Sequence, residues 1–241
     1  LTTIFLDLAA DPDFWAALSA PDIDAQLFAL EPAQARVRVD EDYLDDIAVA
    51  FGQVIDAKSP YTGGHSERVA LLTDRIGAAQ GIAAPQRHRL VRSAMLHDIG
   101  KLGASNRILD KPGRLTAGEW AAMQGHAQAT TDILSRIGVM RDMAMIAGSH
   151  HERLDGTGYP LGLDEDCISM ETRIISVADF FDALTADRPY RAAMPVDQAL
   201  SIMACEVGAA IDGDCFDALE AIVANGIPQA PLPAMPASLA P

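Results

Sequence analysis

In the stretch Leu90-Val91-Arg92-Ser93-Ala94-Met95-Leu96-His97-Asp98-Ile99-Gly100-Lys101, an apolar helical stripe runs into a histidine and an aspartate. Leu90, Val91 and Ala94 recur at helical spacing, and His97 and Asp98 continue that stripe as i+7 positions. Two polar groups aimed at a core are costly unless something satisfies them. A divalent metal would do so, because the imidazole offers a nitrogen and the carboxylate two oxygens that can bridge two ions. Taken alone, the pair fits a surface or capping feature as well. Other residues narrow the choice. His65 heads an inward line with Val69, Leu72 and Ile76, and His126 borders the face of Met123, Ala127, Thr130 and Leu134. His150 and His151 stand i+7 from Met143 and Ala144, while Asp179 stands i+4 from Ile175 and Asp182 i+4 from Ala178. His88, among Gln86, Arg87 and Arg89, reads as exposed and without a role.

His65, His97, Asp98, His126, His150, His151 and Asp179 thus fall on or beside the inward faces of five successive helices. Buried ionisable groups are rare, so unrelated polar residues are a poor account of them. Five imidazoles and two carboxylates are too many for one tetrahedral zinc. They suit two octahedral ions that share a carboxylate, and the mix of nitrogen and oxygen favours iron or manganese.

The elements that must carry these residues are helical throughout. Asp40-Glu41-Asp42 puts acid at a helix start, and Leu44, Ile47, Ala48, Phe51 and Ile55 mark one face up to Lys58-Ser59-Pro60. A second helix follows Gly63-Gly64, and Pro85 opens the helix that reaches His97-Asp98, closed by Gly100 and Gly103. Thr116-Ala117-Gly118-Glu119 is a capping box for a helix with Trp120, Met123, Ala127, Thr130, Leu134 and Ile137 inward. A methionine-rich helix ends in His150-His151, and glycines with Pro160 enforce a loop to about Ser169. Helix resumes at Glu171, with two short helices around 196–207 and 214–225. The expected organisation is a helical connecting segment over 1–39, one catalytic domain over 40–225 and a Pro- and Ala-rich tail over 226–241. Because the chain opens on Leu1, an upstream region is expected.

A formal charge of −16 argues against a broad nucleic-acid or anionic membrane surface, though not against a small anionic substrate. Hydrophobic residues make up 49% and aromatics 5%, enough for a core and better suited to helices than to a sandwich. Cys167, Cys205 and Cys215 are sparse and unpaired in spacing, which reads as reduced thiols in a cytoplasmic protein. No run is long enough for a membrane span, and no signal peptide is visible.

The order His65, then His97-Asp98-Ile99-Gly100-Lys101, then His126, then the block from His150 to Pro160 (HHERLDGTGYP), then the block from Asp179 to Arg191 (DFFDALTADRPYR) resembles the HD-GYP subgroup of the HD-domain metal-dependent phosphohydrolases. The likeness spans roughly 41–225. It implies an all-α HD-domain bundle with a GYP loop and extra C-terminal helices, and a phosphodiesterase that opens cyclic di-GMP to linear pGpG, GMP being a further product. It implies one metal on His65, His97, Asp98 and Asp179, and a second on Asp98 with His126, His150 and His151. Some members carry a glutamate one turn before the first histidine for a third ion. Tyr61 stands there in this chain, which points to two ions.

Two ions about 3.5–4 Å apart would share a hydroxide as nucleophile and hold the phosphoryl oxygens. Lys101 is expected on the same phosphate, and Arg188 and Arg191, three apart, suit a phosphate clamp. Asp182 would orient a ligand or a basic residue. Tyr159 lines either the pocket or a surface where a protein of the diguanylate cyclase type docks, and a homodimer stays open. Two other readings remain: a phosphohydrolase of another cyclic nucleotide, and a non-catalytic cyclic di-GMP-binding signalling module.

Overall fold

The computed structural model describes residues 6, 8–30, 39–59, 63–187 and 191–226. The sequence readings of Tyr61, Arg188 and the tail 227–241 lie outside them. Among the described residues every regular element is helical, with isolated bridges that include Asp155 with Asp164 and Val207 with Ile211. No helix described is long and apolar enough to cross a membrane.

Contacts divide the chain into two units, Leu1–Asp40 and Glu41–Pro241. The first holds α1 (Pro12–Leu18) and α2 (Ile23–Ala29). Asp11 caps α1 by accepting from Asp13 N, with Pro12 at the first turn where a missing N–H costs nothing. Neither helix buries a residue, so the apolar side chains of Trp15, Leu18, Leu27 and Leu30 stay largely exposed.

The second unit contains α3 (Glu41–Asp56), α4 (His65–Ala79), α5 (Ala84–Leu96), α6 (Asn106–Leu109), α7 (Ala117–Arg136), α8 (Arg141–Gly148), α9 (Met170–Thr185), α10 (Val196–Ala204) and α11 (Gly213–Ala224). Short 3-10 turns at Ile99–Gly103, Gly138–Met140 and Glu165–Cys167 connect them. α4 packs against α5 and α9, and α7 against α8 and the Ile99–Gly103 turn. Val69, Ile76, Leu90, Leu96, Leu134, Ile174 and Leu219 close one core between them. The Thr116 capping box forms as the sequence leads one to expect, Glu119 N donating to Thr116 Oγ1 and the Glu119 carboxylate accepting from Thr116 N.

Several inward assignments are corrected. Phe51 is 42% exposed, because α3 meets the core through the small residues Ala48 and Gly52, on the flank of the stripe that Phe51 continues. A Cβ at Gly52 would already stand 2.7 Å from Met95 Cε. Trp120 and Ile137 are exposed too: burial on α7 is confined to His126, Ala127, Thr130 and Leu134, so both ends overhang. His97, Asp98, His150 and His151 sit at or just past helix ends rather than within the helices.

Candidate metal centre

Each metal-ligand candidate is held by its own local structure. His65 is the first residue of α4, after Gly64 at φ 70°, a left-handed conformation that suits glycine. Asp56, at the end of α3, accepts from Ser66 N at 3.1 Å and Ser66 Oγ at 2.8 Å, tying that helix start to α3. His97 ends α5, and Asp98 begins the Ile99–Gly103 turn. Thr130 on α7 bridges this corner, accepting from Gly100 N at 3.1 Å and donating to His97 O at 2.9 Å. His126 projects from α7, Asp179 and Asp182 from α9, and His150 and His151 follow α8.

The imidazoles are oriented in one way. Nδ1 of His97, His126 and His150 lies 2.6 Å from the carbonyl oxygen three residues earlier, Ala94, Met123 and Ala147 respectively. A nitrogen facing a carbonyl carries the proton, so Nε2 of each ring presents a lone pair inward. These lone pairs meet one another and the carboxylates. His65 Nε2 is 3.3 Å from His97 Nε2, and His126 Nε2 is 3.5 Å from His150 Nε2. Asp98 points one oxygen each way: Oδ2 lies 3.5 Å from His65 Nε2 and 3.4 Å from His97 Nε2, and Oδ1 lies 3.3 Å from His126 Nε2 and 3.7 Å from His150 Nε2. Oδ1 is fully buried and accepts no hydrogen bond. Acceptors facing acceptors in a buried space call for cations between them.

Three candidate ligand sets result: His65, His97 and Asp98; His126, His150 and His151; and His97, His150 and Asp179. The first lacks Asp179 and the second lacks Asp98 relative to the two sites the resemblance implies. Asp179 lies 3.4 Å from His65 Nε2 and 3.8 Å from His97 Nε2, while also bordering His150.

The electrostatics agree. Burial, together with neighbouring rings, drives His126 and His151 down and His150 to about 3, which keeps their lone pairs free at neutral pH. Burial works against Asp98 ionising, yet Lys101 and the rings of His97 and His65 hold it well below the usual carboxylate range. His65 is opposed by burial but drawn up to about 9 by the Asp182 and Asp98 carboxylates beside it.

The outer partners divide into those the sequence located and those it missed. Asp182 accepts from His65 Nδ1 at 2.7 Å. Arg68 was missed: it donates from Nε to Asp182 Oδ1 at 2.6 Å and from Nη2 to Oδ2 at 3.1 Å, a two-pronged grip that leaves one carboxylate lone pair for His65. Its position one turn past His65 is the one signal the sequence offers. Replacing Asp182 with Asn, or Arg68 with Ala, is expected to weaken metal binding roughly 10–100-fold with the fold intact. Competitive metal titration followed by circular dichroism checks both halves of that outcome.

Lys101 Nζ contacts Asp98 Oδ2. Arg191 donates to the carbonyls of Ala183 at 2.7 Å and Leu184 at 2.9 Å, so both its terminal nitrogens serve the C-terminal end of α9. Tyr159 stacks near His151, with ring centroids 4.7 Å apart at 34°, and its N donates to His151 O. Glu152 was also missed, since an acid in a glycine-rich loop looks solvent-bound. It is buried, and its carboxylate accepts from Leu161 N at 2.7 Å and Leu163 N at 2.9 Å, folding the loop back on itself. Gly158 permits this closeness, as a Cβ there would stand 2.4 Å from Arg153 N and 2.5 Å from Glu152 Cα.

Residues 50–215 match the HD domain family. A 3'3'-cGAMP-specific phosphodiesterase (number 3) of Vibrio cholerae is 53% identical over 220 residues, covering 91% of this chain and 48% of that protein. A cyclic di-GMP phosphodiesterase of Thermotoga maritima is 38% identical over 177 residues, 72% of this chain and 48% of its own length. The crystal structure of a cyclic GMP-AMP specific phosphodiesterase of V. cholerae aligns with a TM-score of 0.58 at 50% identity, over 92% of this chain and 50% of that one. The chain therefore spans about half the length of these relatives.

Proposed function

The chain belongs to the HD domain family, in its HD-GYP subgroup, and from that premise we propose that it is a metal-dependent phosphodiesterase of cyclic dinucleotides. The observation that carries this reading is Asp98, whose two oxygens face two separate sets of inward imidazole lone pairs. His65, His97, Asp98 and Asp179 would hold one divalent ion, and Asp98, His126, His150 and His151 a second. Iron or manganese suits that donor mix. Divalent ions held by these residues would supply Lewis-acid polarisation of phosphoryl oxygens and a water of lowered pKa.

The chain's own residues do the rest. The backbone carbonyls of Ala94, Met123 and Ala147 lock three rings in the tautomer that ligates. Arg68 and Asp182 hold His65 in line with them. Burial of the cluster keeps bulk water from competing at the phosphate. Lys101, partly exposed at the rim, leaves Asp98 to meet a phosphoryl oxygen when substrate enters. Lys101→Ala is therefore expected to keep its metal and lose turnover by on the order of a hundredfold. Elemental analysis beside initial rates tests this, and lost metal would make Lys101 part of the ligand scaffold instead.

For substrate, the 53% identical relative supports 3'3'-cGAMP, opened to a linear dinucleotide. Cyclic di-GMP is the second reading, supported by the 38% identical relative and by the motif order. The deciding experiment is anaerobic reconstitution with iron or manganese and chromatography of products from both dinucleotides. Preferential opening of 3'3'-cGAMP supports the first reading, and preferential opening of cyclic di-GMP the second. Tight binding with no product from either would make the chain a ligand-sensing module.

A further inference from the structure

Trp120 is 49% exposed although it stands on the helix that delivers His126. It is not isolated. Three rings run outward from the histidine cluster: His151, then Tyr159 at 4.7 Å and 34°, then Trp120 at 6.3 Å and 79° from Tyr159. An edge-on contact of this kind braces an indole from one side and leaves it a face for another ring. The brace is itself built rigidly, because Glu152 folds the loop and Gly158 lets Tyr159 reach His151.

Among the described residues, several cations already have partners. Arg68 grips Asp182, Lys101 lies on Asp98, Lys111 pairs with Glu119 at 2.6 Å, and Arg191 caps α9. Lys101 and bound ions would meet the phosphates, and in a chain of net charge −16 the bases can add affinity by stacking. We infer that Trp120, braced by Tyr159, is the platform on which one purine base of the cyclic dinucleotide stacks. This rests on the phosphodiesterase reading and adds a position for the substrate. Every base has a π-face, so the platform serves adenine and guanine alike and does not choose between 3'3'-cGAMP and cyclic di-GMP.

The test uses the full chain reconstituted with metal, in native, Trp15→Phe, Trp120→Phe and Trp120→Ala forms. In Trp120→Ala the KM for both dinucleotides should rise roughly ten- to a hundredfold, with the loss falling on KM rather than kcat. Trp120→Phe should recover most of that loss, since phenylalanine keeps a face. In the Trp15→Phe protein, whose indole fluorescence comes from Trp120 alone, stopped-flow mixing with either dinucleotide should quench the signal before turnover. An unchanged KM in both Trp120 variants, or no quenching, overturns the inference. If Trp120→Ala does not fold, the Trp120→Phe kinetics and the quenching still decide. Quenching without product would sink the phosphodiesterase reading and leave the platform standing. Product without quenching would do the reverse.

Discussion

Asp98→Ala should strip metal from both sides of the cluster and lower dinucleotide hydrolysis by on the order of a thousandfold or more. Asp179 borders His65, His97 and His150, whereas Asp98 faces His65 and His97 with one oxygen and His126 and His150 with the other. Without it, five imidazoles remain with Asp179 as the one carboxylate of the seven candidates to offset the charge of any ion bound there. The fold should survive, because Asp98 contacts side chains here: its carboxylate meets Lys101 and the histidine rings, and Oδ1 is buried without a hydrogen bond. Removing one partner of this buried charge network leaves Lys101 and His65 without a counter-charge, which costs stability. The melting temperature measured in chelator should therefore fall below that of the native chain, and the stabilisation by added metal should disappear. Retention of two ions and normal turnover would show that another group bridges.

Much of this site was legible in the sequence for a physical reason. Ligand-type residues appended to apolar stripes must end up beside the core, and α4, α7 and α9 deliver His65, His126 and Asp179 there. Periodicity could not say where a helix stops. His97 and His150 fall at such stops, yet their rings reach back to a carbonyl three residues earlier just as His126 does from inside α7. Residues that act through partners distant in sequence were invisible for a similar reason. Arg68 and Asp182 are separated by 114 positions, and Glu152 is buried by its own loop rather than by a helix face. Trp120 shows the opposite failure. Its apolar character and i+3 relation to Met123 place it inward by pattern, yet burial on α7 begins only at His126.

Gly100→Ala should be the most damaging single-methyl change in the chain. Gly100 lies in the turn that follows Asp98, pressed against α7. A Cβ there would stand 2.0 Å from His126 O, 2.8 Å from Thr130 N and 2.9 Å from His126 C. All three are backbone atoms inside a helix, so no side chain can swing aside, and either α7 or the turn must move. The Gly100 N to Thr130 Oγ1 bond and the Thr130 Oγ1 to His97 O bond span the same gap and would be lost with it. Overpacking of this severity, together with two buried hydrogen bonds, should cost about 3 kcal/mol or more. Because α7 carries His126 and the turn carries Asp98, the two would part, and metal affinity on that side should fall with stability. Gly103→Ala, at the far end of the same turn, is the matched control: nothing lies within 4 Å of its Cβ. Urea melts of the two variants in chelator, and metal titrations of each, check the contrast. Equal stability for the two alanine variants would mean that the turn and α7 are not in the tight contact on which the alignment of Asp98 with His126 depends.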